Sequence, residues 1–389
     1  MTRASGAFAA PDYRGSHLLS DLVPAAALGL GAAEVLDDTA RTRAAALAPD
    51  TDLRVAVVVL VDGMGEELLR SRAAHTPFLR SLLPDLVPMS AGFPSTTANS
   101  LSSLGTGLLP GSHGVVGYRV LDPSRDVVVN QLTWDPDVDP EVWVPDSTLF
   151  ERLEDADVDV VSLGEPKFAG RGLNQASLRG GRFRGSGNLA DRVRHAIEEV
   201  RAPGRRLVYL YWGNLDKTGH MHGVDSWDWL EELESLDAHL SSLAQAIGPD
   251  TGLFITADHG MVDVPHANRL DLAENPALLN GVRAVGGEPR AVHLYAEAGA
   301  APDVRAAFAE RVGERAHVLT REDAVAGGWF GPVRPRNLDR IGDVLVVCGE
   351  GFGIVDSAHD SPSALSLVGH HGGVTEQELR IPLLRALGN

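Results

Sequence analysis

The stretch Arg54-Val55-Ala56-Val57-Val58-Val59-Leu60-Val61, closed by Asp62-Gly63-Met64-Gly65, decides the fold class. An almost continuous β-branched run without polar alternation fits a strand buried on both faces, the habit of strands inside a parallel sheet. A carboxylate at its carboxyl end, on a turn loosened by glycines, is where open α/β sheets collect reactive groups. Similar runs recur at Val158 to Leu163, Arg206 to Trp212, Gly252 to Ala257 and Val344 to Cys348, spaced widely enough to hold crossover helices. One helix is predicted from Ser226 to Ile247, where Leu230, Leu233, Leu236, Leu240, Leu243 and Ile247 recur at steps of three and four until Gly248, and a second over Leu189 to Val200.

The pattern predicts an α/β chain with a mostly parallel sheet and helices on both faces. The run Glu288 to Ala296 and the helix-like Val304 to Val312 predict a smaller α/β unit inserted as a cap. The expected division is a core of residues 1–270 and 366–389 with a cap over 271–365. Phe168 to Gly187, with six glycines and four arginines, reads as a solvated basic loop in preference to an anion-binding lid.

A chain of 389 residues, 44% hydrophobic, has ample material for a core. Its 34 Lys and Arg against 53 Asp and Glu give a net charge of −19, which repels the phosphate backbone of long nucleic acids. A small phosphorylated substrate is still admissible where bound cations invert the local potential. The single cysteine, Cys348, excludes an internal disulfide framework and a thiolate metal cluster, and reads as a buried residue on a strand. The alanine-rich segment after Arg3 is interrupted by Pro11, Asp12 and Arg14, unlike a signal peptide, and the apolar Leu22 to Leu30 is too short to span a bilayer. These features lead to the expectation of a cytoplasmic protein without membrane contact, a monomer or homodimer.

Polar residues gather at strand ends. Asp62 closes the first run; Asp216 and His220 follow the Arg206 to Trp212 run; Asp258-His259-Gly260 follows the next; and His371 stands before Gly372-Gly373. Gly260 is expected to let the backbone leave extended geometry so that both Asp258 and His259 reach one point. Singly, each residue has an ordinary role as turn former, cap or satisfied histidine. Together they offer carboxylate and imidazole donors suited to zinc, with manganese as the alternative. The segment Gly92-Phe93-Pro94-Ser95-Thr96-Thr97-Ala98-Asn99-Ser100 adds hydroxyls at the predicted start of a helix. A hydroxyl there either caps the helix or, between two divalent cations, becomes a nucleophile with backbone N–H groups nearby for phosphoryl oxygens.

The order Asp62-Gly63, then Pro94-x-x-Thr97, Thr106-Gly107-Leu108-x-Pro110 and Ser112-His113-Gly114, then Asp216-x-x-x-His220, Asp258-His259-Gly260 and His371-Gly372, resembles the nucleotide pyrophosphatases/phosphodiesterases of the alkaline phosphatase superfamily and the related phosphonoacetate hydrolase. The resemblance implies an alkaline phosphatase-like core and two divalent metals, one held by Asp62, Thr97, Asp258 and His259 and the other by Asp216, His220 and His371. It selects Thr97 over Thr96 as nucleophile, and His220 and His371 over their neighbours His222 and His370. Where family members place an asparagine after Ser-His-Gly to hold a phosphoryl oxygen, this chain has Tyr118; with Asn99 and Arg119 it forms the expected substrate-binding set. Cys348 is followed by Gly349-Glu350-Gly351, which departs from the Cys-x-Pro-x-Arg pattern of sulfatases. The expected activity is metal-dependent cleavage of phosphodiester or pyrophosphate bonds, with nucleotides among the candidate substrates, through a phosphothreonine. The alternatives are a phosphomonoesterase or phosphonate hydrolase and, from another class, a catalytically silent protein that binds metal and a phosphorylated ligand.

Overall fold

Valine side chains branched at Cβ fill both faces of Val55–Val61, and every residue of that strand is buried. In the computed structural model, which describes residues 8–388, this strand lies inside an eight-stranded sheet; the reading made around Arg3 falls outside the described residues. Across the sheet the strands run His17–Leu18, Val87–Ser90, Arg380–Leu387, Thr251–Thr256, Val55–Val61, Arg206–Trp212, Asp159–Gly164 and Arg182–Gly185. All neighbours are parallel except where Arg380–Leu387 is antiparallel to both of its own.

Register gives this sheet its functional edge. Val61 stands opposite Trp212, and Leu60 opposite Thr256. Three parallel strands therefore end together, delivering Asp62, the helix Asn214–His222 and Asp258 to the same edge. The two expected helices form as Leu189–Arg201 and Trp227–Ala246. Asn188 and Ser226 accept the backbone N–H groups of Asp191 and Trp229 as their N-caps, and the apolar stripe of the second helix buries Leu233, Leu236, Leu240 and Leu243.

Val344–Cys348 is a buried strand, but it belongs to a second sheet of four antiparallel strands, ordered Val282–Glu288, Ala291–Ala296, Val344–Cys348 and Ala316–Thr320. An apolar run sheathed on both faces reads the same in either sheet, so its composition does not reveal which one it joins. The helix Ala301–Val312 packs its Val304, Phe308 and Val312 into the core beneath this sheet. Cys348 is fully buried there, and burial pushes its thiol up to about 12.

Phe168 to Gly187 is more ordered than its glycines imply. It holds the helix Gly172–Ser177 and the edge strand Arg182–Gly185. Arg179 pairs with Glu151, and Arg182 and Arg184 converge on Glu199. The final strand Arg380–Leu387 carries Pro382, a residue that supplies no ladder donor; it lies opposite Pro88 in a register position between hydrogen-bonded pairs, where no donor is needed. No helix among the described residues is long and apolar enough to cross a membrane.

Candidate active site

The helix Thr97–Thr106 begins at the functional edge with its first turn buried. Thr96 is its N-cap residue and makes no side-chain capping bond. Thr97 is turned away from capping: its Oγ1 lies 3.1 Å from His259 Nε2 and 3.5 Å from each Asp62 carboxylate oxygen.

Asp62, Asp258 and His259 form one buried cluster. His259 Nδ1 lies 2.9 Å from the carbonyl oxygen of Gly260, so it carries the proton and leaves Nε2 with a lone pair. That lone pair faces Asp62 Oδ1 at 3.3 Å and Asp258 Oδ2 at 3.4 Å. Asp258 Oδ1 accepts the N–H groups of Gly63 and His259, whereas its Oδ2 is buried without a hydrogen-bond partner among the described residues. Acceptors aimed at acceptors repel one another unless a cation or a proton stands among them. Burial, with the charges of Asp258 and Asp216, pushes the Asp62 carboxyl well above the carboxylate range; burial also raises Asp258.

The second cluster repeats this logic. His220 Nδ1 lies 2.7 Å from the Gly369 carbonyl and His371 Nδ1 lies 2.9 Å from that of Ser95, which directs both Nε2 lone pairs toward Asp216, at 3.3 Å and 3.7 Å. Asp216 Oδ1 is buried without a hydrogen-bond partner among the described residues. Burial, and then the neighbouring His259 and His220, hold the His371 imidazole well below its ordinary value, so it stays a neutral donor. The rings of His259 and His371 stack with centroids 3.7 Å apart, which sets the two clusters side by side. Carboxylate and imidazole donors, with Asp258 and the three histidines each fixed through their other oxygen or ring nitrogen by backbone groups, suit one divalent cation per cluster.

The two alternative histidines lie elsewhere. His222 is exposed at the end of its helix, 3.9 Å from Asp228. His370 is buried on the strand Gly369–His370 that pairs with Val262–Asp263, and burial pushes its imidazole down to about 3. Gly260 has a different role from the one expected: a Cβ there would meet the Gln377 carbonyl oxygen at 1.8 Å, so close packing of two backbones requires the glycine.

A cavity of about 1050 Å³ opens over both clusters, lined by Thr97, Tyr118, Arg119, Lys167, Arg171 and Glu288 among others. Tyr118 Oη accepts a hydrogen bond from Asn130 at 2.9 Å, which leaves its own proton free for a ligand. Arg119 reaches across the cavity to Asp360 at 3.4 Å. Asn99, expected beside the substrate, is instead fully buried and donates to the Pro94 carbonyl at 2.7 Å, bracing the turn before Thr97.

Two supporting residues carry no signal in the sequence. Ser95 Oγ donates to the Gly373 carbonyl and accepts from Gly372 N–H, holding the His371 segment against the Thr97 turn. Tyr211 Oη donates to Asp62 Oδ2. Only register brings Tyr211 to Asp62: Tyr211 stands opposite Leu60 on the strand beside the one that Asp62 closes. Tyr211→Phe is expected to weaken divalent-cation affinity by about 10-fold or more, because partners of ligating groups fix their orientation; titration with a competing chelator measures it, and an unchanged affinity would show that Asp62 needs no such partner.

The fold is shared with solved structures of murine ectonucleotide pyrophosphatase/phosphodiesterase 5, one of them an inactive variant in complex with AMP (TM-score 0.68, 20% identity, 84% of this chain and 87% of that one). It is shared likewise with phosphonoacetate hydrolase of Sinorhizobium meliloti in complex with phosphonoacetate (TM-score 0.64, 19% identity, 86% and 90% covered). Among curated sequences, phosphopentomutase of Idiomarina loihiensis is 27% identical over 164 residues, and the match spans 41% of this chain and 39% of that relative's length. The family model described as type I phosphodiesterase / nucleotide pyrophosphatase matches residues 56–374, from within the first buried strand to just beyond His371. With most of its length matched by that model, the chain belongs to the type I phosphodiesterase / nucleotide pyrophosphatase family.

Proposed function

We propose that this protein hydrolyses phosphodiester or pyrophosphate bonds, with nucleotide-type compounds as the first candidates, and that Thr97 is the nucleophile. The observation that carries the reading is the position of Thr97 Oγ1, at a helix N-terminus, beside His259 and Asp62, and open to the cavity. Asp62, Thr97, Asp258 and His259 would hold one divalent cation and Asp216, His220 and His371 the other, zinc being the first choice for these donors; when bound, such ions favour the deprotonated hydroxyl and offset negative charge at phosphorus.

The Thr97 oxygen forms a bond to phosphorus as the bond to the leaving oxygen breaks, and that oxygen departs with the electron pair. Water then attacks the phosphothreonine, releasing the phosphoryl product and restoring the hydroxyl. Backbone N–H groups in the first turn of the Thr97 helix face the phosphoryl oxygens, as anion sites at helix N-termini do. Tyr118 donates its free hydroxyl proton and Arg119 its charge to the same group. The segment 271–365, which carries the second sheet, acts as a cap that receives the leaving group. Two structural relatives were solved with AMP and with phosphonoacetate, small phosphorus-bearing anions of the class this reading assigns to the cavity.

Tyr118 in place of the expected asparagine favours one further reading, phosphomonoester or phosphonate hydrolysis, because the residue that holds the phosphoryl oxygen differs. The test is cation content of the purified protein beside hydrolysis of bis-nitrophenyl and mono-nitrophenyl phosphate, before and after chelation. About two cations per chain and a chelator-sensitive preference for the diester are expected. A preference for the monoester moves the assignment to the second reading. Bound cations without turnover of any ester would point to a binding protein.

A further inference from the structure

Glu288 ends the strand Val282–Glu288 of the second sheet and lines the same cavity as Thr97 and Asp216. It is 7% exposed. Its Oε2 accepts the Tyr118 N–H at 2.8 Å, whereas Oε1 is buried with no hydrogen-bond partner among the described residues. Gly372, next to His371, has φ 119°, and a Cβ there would stand 2.4 Å from Glu288 Cγ. The glycine thus makes room for this carboxyl against the segment that carries His371.

A buried carboxylate with one oxygen unsatisfied, in a cavity meant for an anion, would repel its ligand; a neutral carboxyl would offer a donor. Burial, opposed by the Tyr118 N–H and aided by the charge of Glu378, pushes the Glu288 carboxyl up to about 8, which favours its protonated form at neutral pH. That O–H has no acceptor among the described residues, and a buried donor left without one is costly.

We propose that Glu288 is a substrate-contacting residue contributed by the second sheet, its Oε1 donating a hydrogen bond to a non-bridging oxygen of the phosphoryl group held beside Tyr118. The proposal rests on the phosphoryl-transfer reading of the site. No signal in the sequence marks this residue, because a glutamate at the end of a strand is ordinary; what distinguishes it is burial without a partner at the cavity wall.

The test uses the whole 389-residue chain loaded with zinc and two readouts: binding of inorganic phosphate by calorimetry, and kcat/KM with bis-nitrophenyl phosphate. Glu288→Ala is expected to weaken phosphate binding by about 10- to 100-fold and to lower kcat/KM in proportion. Glu288→Gln, whose amide keeps a donor in place of the O–H, should remain within about threefold of wild type on both. Wild-type or tighter phosphate binding by Glu288→Ala would overturn the proposal, the tighter case showing an ionised group that repels anions. Equal weakening in both variants would overturn it in favour of a structural role in holding Tyr118, and a wild-type protein that binds no phosphate would overturn it outright. Loss of phosphate binding in Glu288→Ala, in a protein that hydrolyses no ester, would keep this contact and reject the phosphodiesterase reading instead.

Discussion

Thr97→Ala is expected to lower hydrolysis of phosphate diesters by about 10³-fold or more while leaving cation content and the unfolding transition close to those of the parent. The side chain turns its hydroxyl to His259 and Asp62 and sits at the first helical position, where alanine is well tolerated. Its loss removes one hydroxyl and one methyl from the edge of the cavity, and the carboxylate and imidazole donors of both clusters remain. Thr97→Ser keeps the attacking oxygen and should retain measurable turnover. Steady-state rates, metal analysis and a thermal melt on the same preparations check the expectation; an alanine variant that turns over normally would remove Thr97 from the mechanism.

The largest stability effect is expected from Glu378→Ala, about 3–5 kcal/mol, because it strands a buried charge. Arg290 and Glu378 are both fully buried and form a forked pair, Nε to Oε1 at 2.9 Å and Nη2 to Oε2 at 2.7 Å. Arg290 Nη1 also donates to the carbonyl oxygens of Gly349 and Phe352. On the other side, Glu378 accepts the Gly373 N–H at 2.9 Å and the Thr375 hydroxyl at 2.7 Å. This pair therefore ties the second sheet to the segment that carries His371. Removing Glu378 leaves the guanidinium without its partner and frees the Gly373 amide, so cation affinity at the His371 cluster should fall together with the melting temperature. Replacing both partners by apolar residues, Arg290→Met with Glu378→Leu, should recover part of the loss, since no charge then stays buried. Urea unfolding of the single and double variants measures both, and a single-variant loss under about 1 kcal/mol would mean that water reaches the site.

Much of this molecule was legible because its signals are local. The valine run before Asp62 and the leucine spacing of the long helix follow from periodicity, and both elements form where the pattern places them. The failures share one cause. Val344–Cys348 reads correctly as a buried strand and joins a different sheet, since strand pairing depends on residues distant in the chain. The glycines of Phe168 to Gly187 concealed a helix and an edge strand whose arginines are held by Glu151 and Glu199. Asn99, placed by its neighbourhood beside the substrate, turns inward to Pro94.

By itself the sequence determined the α/β class, the strand ends at which polar side chains gather, and a motif order that runs through the residues matched by the family model. Periodicity and turn chemistry act over a few residues, and a motif is a run of adjacent positions. The tertiary structure alone decided which nitrogen of each histidine is free, that the two clusters stack at His259 and His371, and that Tyr211, Ser95 and Glu288 stand around them. Each of those depends on a single hydrogen bond or contact between residues remote in sequence, and such a partner is chosen by packing and register, which no local pattern encodes.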